Sequence, residues 1–189
     1  MKKIYLLFSF LFLFSGISFS QIVITKNDMP VAGDTLRTSI TYTITNDYTL
    51  TGPNYTWDFS NLQPFNQKID SFVSKSQTPL LYQIYFSNAT LASPQPDISL
   101  IPNLPITDVF EFYKSSTASF SDLGYGVTVS GAPIPLKYDN PEIYYKFPLT
   151  YGNPMDSSLS SFSFGVPDLG YISTVRKRIN VVDGWGTLT

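Results

Sequence analysis

Cysteine and histidine are both absent from this 189-residue chain. Without cysteine the chain can form no disulfide, no thiolate metal site and no lipid-modified N-terminus of the lipoprotein type. Without histidine, Ser-His-Asp and Cys-His catalytic arrangements and histidine-ligated metal sites are excluded within the chain. Any catalysis would therefore depend on carboxylates, tyrosine, lysine or serine.

Charged residues are also scarce, at 14% of the sequence, and acidic residues outnumber basic ones by 14 to 12. Two of the basic residues, Lys2 and Lys3, lie in an N-terminal segment that is expected to be removed. A mildly acidic chain has no concentrated basic face for phosphates or anionic lipids. The composition therefore predicts that nucleic acid is not a partner.

Residues 1–20 have the three parts of a secretion signal. Two lysines precede an apolar run over 4–14, and small residues occupy positions 18 and 20. This pattern predicts cleavage between Ser20 and Gln21. The apolar stretch is shorter than the roughly 20 residues of a membrane-spanning helix, and no stop-transfer pattern follows it. We therefore expect a secreted mature chain, 21–189, with no transmembrane span.

After residue 20, apolar and polar residues alternate with period two, as in half-buried strands. No segment keeps helical periodicity over three turns, and tyrosine, threonine and phenylalanine are abundant. The pattern predicts an all-β fold, a single β-sandwich of immunoglobulin-like or jelly-roll type over 21–189, without a long helix. The predicted strands lie at 21–25, 35–45, 54–59, 69–74, 80–86, 108–114, 125–130, 143–149, 160–165 and 174–181. The predicted core contains Leu36, Ile40, Tyr42, Tyr55, Trp57, Phe59, Ile84, Tyr145, Phe147 and Ile179.

Two segments stand outside this alternation. The prolines within 93–107 predict a long surface loop, because proline breaks a sheet ladder. The final residues, 181–189, are typical of a strand, a glycine-bearing turn and the start of a second strand. This incomplete hairpin predicts a domain that is truncated at Thr189.

The candidate ligand sites are few. Asn27, Asp28 and Asp34 surround an oxygen-rich loop that could hold Ca²⁺, although their spacing is not that of an EF-hand. Trp185, between two glycines at a predicted turn, is a candidate ring for stacking on sugar, and Tyr125 is a second candidate ring.

The charged residues show no catalytic pattern in the sequence. Asp108 and Glu111 should point to opposite faces of one strand, and Asp139 and Glu142 flank a predicted turn. No same-face pair of carboxylates on one strand is therefore predicted. The basic segment 176–178 is interpreted as a solvated or protected edge strand.

Several segments together resemble the N-terminal region of large secreted or surface proteins of Bacteroidota that carry a C-terminal type IX sorting domain. The segments that carry the resemblance are DMPVAGDTLR at 28–37, TGPNYTWDFSNL at 51–62, TPLLYQIYF at 78–86, YDNPEIYYKFPLTYG at 138–152 and VDGWGTLT at 182–189. The resemblance implies export by the Sec and type IX machinery and a place at the outer cell surface. It includes no catalytic signature, and no sorting domain is present in this chain.

Together these features predict a non-catalytic extracellular or cell-surface β-domain that serves as an adhesion, scaffold or presentation module. Its partner would be an extracellular glycan or protein, and no cofactor other than Ca²⁺ is suggested. The alternative is a secreted protein that binds polysaccharide through exposed rings or hydrolyses it with two carboxylates that the fold brings together.

Overall fold

The structure is a computed structural model that describes residues 21–101, 104–166 and 170–189. Strands dominate these residues and are arranged in several sheets, which confirms the all-β prediction. The strands are β1 Thr35–Ile40, β2 Gly52–Trp57, β3 Asn66–Ser71, β4 Leu91–Pro94, β5 Ile98–Ile101, β6 Leu104–Ser115, β7 Ser119–Val129, β8 Ala132–Lys146, β9 Asp156–Val166, β10 Gly170–Asn180 and β11 Gly184–Leu188. One α-helix, α1 Leu80–Tyr85, lies among the described residues.

The largest sheet has the order β4-β6-β7-β8, and β5 also pairs with β6. Its pairs are antiparallel, with Phe120 of β7 opposite Tyr145 of β8. The predicted loop over 93–107 is therefore wrong, because β4, β5 and the start of β6 occupy most of it. Pro94 ends β4 at one edge of the sheet, and β8, the other edge, contains three more prolines. Edge strands tolerate proline because one side of the strand needs no backbone donor.

Leu80–Tyr85 form α1 and Phe86 follows as its C-cap, so the strand predicted over 80–86 is wrong. Residues at i and i+4 lie on one face of a helix, and Tyr82 and Phe86 are both fully buried. The Phe86 ring stacks on Phe112 of β6 at a centroid distance of 4.1 Å. The Tyr82 and Thr128 hydroxyls are 2.9 Å apart. The helix thus covers one face of the large sheet.

The buried core differs from the predicted one. The three buried clusters are centred on Tyr82, Phe112 and Leu123, on Phe72, Tyr113 and Phe120, and on Ile106, Val109 and Val127. The predicted core residues all lie outside the buried set. Six of them are exposed, namely Leu36, Ile40, Tyr42, Ile84, Tyr145 and Ile179, and four are half-buried, namely Tyr55, Trp57, Phe59 and Phe147.

Three two-stranded ribbons, β1–β3, β9–β10 and β2–β11, complete the described fold. β1 and β3 are antiparallel and β1 is exposed along its whole length. β11 pairs with β2 in parallel, so the hairpin predicted over 181–189 is wrong. β9 and β10 form an antiparallel ribbon that packs against β8. This last contact creates the site described below.

Among the described residues, no helix combines the length and the apolar character that crossing a bilayer would require.

Candidate functional site

Three acidic side chains from three neighbouring strands lie on one face of the large sheet. They are Glu111 on β6, Asp122 on β7 and Glu142 on β8, and Asp122 is directly opposite Glu142 in the strand register. Glu111 is next to Phe112, which packs against α1, so its side chain points to the opposite face of the sheet. The acidic cluster therefore lies on the face that β9–β10 covers.

Two arginines of β10 neutralise Glu142. Arg178 Nε donates to Glu142 Oε1 (2.9 Å), and Arg176 Nη1 donates to Oε2 (3.2 Å). Arg176 Nη1 is also 3.8 Å from Asp122 Oδ2. Alternate residues of a strand share a face, so Arg176 and Arg178 both point towards the sheet while Lys177 is exposed. β10 is an edge strand, as the interpretation of segment 176–178 expected, but its two arginines are paired with Glu142 and only partly solvated.

Tyrosine rings surround the arginines. The Arg178 guanidinium lies 4.2 Å from the centre of the Tyr144 ring, and Arg176 lies 5.7 and 5.8 Å from the centres of Tyr125 and Tyr138. Arg176 Nη2 also donates to the Tyr125 hydroxyl (3.3 Å). These distances are within the range of cation–π attraction. Tyr125, predicted as a candidate ligand ring, thus contacts Arg176 of the same chain.

Asp122 is the most perturbed carboxyl group of the cluster. Its side chain is fully buried, and burial, followed by the nearby charge of Glu111, raises its pKa to about 8. The Gly124 N–H donates to Oδ1 (2.7 Å), but Oδ2 has no hydrogen-bond donor among the described residues. A proton on Asp122 allows it to hydrogen-bond to Glu111. The raised pKa therefore favours a protonated Asp122 at neutral pH.

The tyrosines of the cluster stay protonated. Burial, followed by the charge of Glu111, raises the pKa of Tyr125 to about 12 and also raises the pKa of Tyr113 and Tyr144. The Tyr144 hydroxyl donates to Glu111 Oε1 (3.2 Å). These hydroxyls are therefore hydrogen-bond donors and cannot act as general bases at neutral pH.

Hydrolysis of a glycan would need two reachable carboxyl groups, one acidic and one ionised. Asp122 has a raised pKa and Glu142 is paired with two arginines, but Asp122 is fully buried and the Glu142 side chain is 5% exposed. The ribbon β9–β10 lies over both groups. A polysaccharide could reach them only if this ribbon moved. The cluster therefore joins two layers of the fold and does not line an open cleft.

The predicted calcium loop uses its carboxylates locally. Asp28 Oδ2 accepts from the Thr25 N–H (2.7 Å) and caps a short 3₁₀ turn, while Asp34 Oδ2 accepts from the Val31 N–H (2.9 Å). Asn27, Asp28 and Asp34 all line one open groove. In the described ranges, no three acidic, histidine or cysteine residues form a group that could hold a metal ion. Calcium binding by this loop stays a prediction.

The remaining predicted residues lie apart from the acidic cluster. Trp185 is half-buried within β11 rather than in a turn. Asp139 lies within β8 and accepts from the Ser161 hydroxyl (3.1 Å), so the turn predicted around it is wrong. Ser20 lies outside the described residues. The Gln21 side-chain amide donates to the Tyr151 carbonyl (2.8 Å).

Sequence reasoning missed Asp122 altogether and treated Glu111 and Glu142 only with acidic neighbours in the sequence. The relevant signal is a charged residue inside a strand rich in aromatic residues, as in the segment FEFYK around Glu111. A charge in such a segment requires a partner when the strand is buried. The partner's identity depends on which strands become neighbours.

No known family model, curated protein or solved structure matches this chain.

Proposed function

We propose that this chain is a non-catalytic extracellular β-domain, exported by the Sec and type IX machinery, that acts at the cell surface as an adhesion, scaffold or presentation module. Residues 1–20 serve as its signal peptide in this proposal, with cleavage after Ser20. Its partners are extracellular glycans or proteins. The resemblance of its sequence segments to type IX surface proteins supports the location.

The pairing and burial of Glu142 support the non-catalytic part of this proposal. Both of its oxygens accept hydrogen bonds from arginines of β10, and its side chain is almost completely covered. A catalytic carboxylate must be reachable by its substrate, whereas Glu142 is paired with two arginines and covered by the ribbon. Asp122 lies deeper still, and burial raises its pKa and favours its protonated form. The cluster thus contributes to the contact between two layers of the fold.

The alternative is a protein that acts on polysaccharide with these same carboxylates. The raised pKa of Asp122 favours this alternative, because a protonated carboxyl group next to an ionised one is the pairing that glycosidases use. It requires β9–β10 to open and expose the cluster. Hydrolysis would release new reducing ends from a polysaccharide, whereas non-catalytic binding would release none.

Two measurements test the proposal. The exported protein is incubated with neutral and acidic polysaccharides, and new reducing ends are counted for the wild type and for Asp122→Asn. We expect no reducing ends above the buffer control for either protein. Turnover that Asp122→Asn abolishes would establish the hydrolytic alternative instead.

The second measurement concerns location. An antibody against the folded domain should label intact cells, and external protease should remove that label. Protein that stays inside intact cells contradicts the proposed place at the cell surface.

A further inference from the structure

A groove with a volume of about 400 Å³ lies at one end of the β1–β3 ribbon, far in the sequence from the acidic cluster. Residues within 41–45, directly after β1, and within 61–65, directly before β3, line this groove. The Phe65 N–H donates to the Ile40 carbonyl (2.7 Å), which continues the pairing of the ribbon up to the groove. The volume is in the range of small-ligand sites.

Tyr42 and Phe65, together with Leu62 and Pro64, form the apolar part of the groove. Tyr42 is 77% exposed and Phe65 is 68% exposed, and their ring centres are 4.5 Å apart with a tilt of 57°. Rings with this exposure add little to the core of the protein. They present flat apolar surface to solvent, and such surface stacks well on the C–H face of a pyranose ring.

The remaining lining residues are polar, and no acidic or basic side chain of the described ranges lines the groove. Hydroxyls come from Thr41, Thr43 and Thr45, and amides come from Asn61 and Gln63. Among the described residues, the Tyr42 hydroxyl and the Asn61 side-chain amide make no hydrogen bond. They are therefore available as donors and acceptors to a ligand.

Because no charged side chain in the described part of the chain lines the groove, a neutral ligand is favoured over a charged one. A phosphate, sulfate or uronate would lose its hydration here without meeting a cation. A neutral sugar loses only hydroxyl hydration, which the threonine hydroxyls and the amides can replace. The combination of exposed rings with neutral donors and acceptors fits the two kinds of surface on a sugar ring.

We propose that this groove binds a segment of neutral oligosaccharide, with Tyr42 and Phe65 against the sugar rings and the threonine hydroxyls and amides at the sugar hydroxyls. The inference rests on the proposed function, because it names the ligand class of a non-catalytic surface domain. It moves the expected sugar contact away from Trp185, which is half-buried, and from Tyr125, which contacts Arg176.

Titration calorimetry of the exported protein with cellohexaose, xylohexaose and mannohexaose tests this proposal, with polygalacturonate as the charged comparison. We expect saturable binding of at least one neutral hexaose. Tyr42→Ala and Phe65→Ala should each weaken that binding by about tenfold or more, because each removes a stacking ring. Tyr42→Phe keeps the ring and should retain most of the affinity.

The matched control is Tyr48→Ala, since Tyr48 is as exposed as Phe65 and does not line the groove. It should bind like the wild type. Thermal unfolding of every variant checks that the fold is kept. Exposed rings contribute little to stability, so we expect each variant to keep its fold.

Three results would overturn the inference: binding of none of the neutral hexaoses, binding of polygalacturonate alone, or wild-type affinity in both Tyr42→Ala and Phe65→Ala. Those results leave the proposed function standing as an adhesion, scaffold or presentation module with a different partner or a different binding surface. The proposed function fails separately, through reducing ends in the hydrolysis assay or through the absence of surface labelling.

Discussion

At the scale of single residues, Asp122 shows how an ordinary acidic residue acquires an unusual pKa. Its carboxyl group is fully buried under the covering ribbon, and the nearby charge of Glu111 adds to the effect of burial. Arg176 lies 3.8 Å from Oδ2, at the outer limit of an ion pair. Burial and the like charge therefore outweigh the partial compensation by the arginine, and the protonated form is favoured.

This proton makes the stability of the protein depend on pH. The folded protein holds the proton up to about pH 8, whereas an unfolded aspartate releases it near pH 4. Between these values the folded state binds more protons than the unfolded state, so the free energy of unfolding falls as the pH rises. We expect a loss of about 2–5 kcal/mol from pH 4 to pH 8 by urea denaturation.

Asp122→Asn keeps the shape of the protonated acid and cannot ionise. The variant should therefore lose most of this pH dependence. A variant that retains the wild-type slope would show that another group carries the proton.

At the scale of elements, segment 80–86 shows where periodicity is ambiguous. Tyr82, Ile84 and Phe86 have the same parity, which is typical of one face of a strand. Tyr82 and Phe86 are also four residues apart, which is typical of one face of a helix. Pro79 lies at the N-terminal boundary of α1, where proline is compatible with a helix start. Seven residues are too few for the pattern alone to decide between the two structures.

Two substitutions distinguish the helix from a strand. Phe86→Ala removes a fully buried ring that stacks on Phe112, and we expect it to lower the free energy of unfolding by about 3–5 kcal/mol. Ile84→Ala replaces a side chain that is 62% exposed and should change the free energy of unfolding by about 0.5 kcal/mol or less. Equal losses in urea denaturation for the two variants would indicate that both side chains face the core, as in a strand.

At the scale of the whole molecule, a polar contact attaches β9–β10 to the large sheet. The ribbon turns Arg176 and Arg178 towards the sheet and leaves Val175 and Ile179 exposed. Asn180 Nδ2 adds a hydrogen bond to the Ile143 carbonyl (3.3 Å). The apolar contribution comes chiefly from Phe162 of β9, whose ring is 5.6 Å from that of Tyr138. The contact of the ribbon with the sheet therefore combines one buried aromatic ring with several ion pairs and hydrogen bonds.

Glu142→Gln should loosen this ribbon without unfolding the sheet. It weakens the hydrogen bonds of both arginines, and we expect amides of β9 and β10 to exchange with solvent about tenfold faster. Amides of α1, β6 and β7 should keep their wild-type rates in hydrogen–deuterium exchange.

The control is Asp70→Asn, which removes an exposed ion pair with Lys68 on the β1–β3 ribbon. It should leave exchange in β9–β10 unchanged. Unchanged exchange of β9–β10 in Glu142→Gln would mean that the acidic cluster does not hold the ribbon.

The sequence by itself determined the all-β class and many of the strand positions, because both depend on local alternation and on turn residues. In β10 it also determined that Arg176 and Arg178 share one face and that Val175 and Ile179 share the other. Which face is buried was decided only by the tertiary structure. That choice depends on the layer that the strand meets, and here the layer carries Glu142 and three tyrosine rings. The same reason applies to the acidic cluster, whose three members are brought together by strand order and register rather than by spacing along the chain.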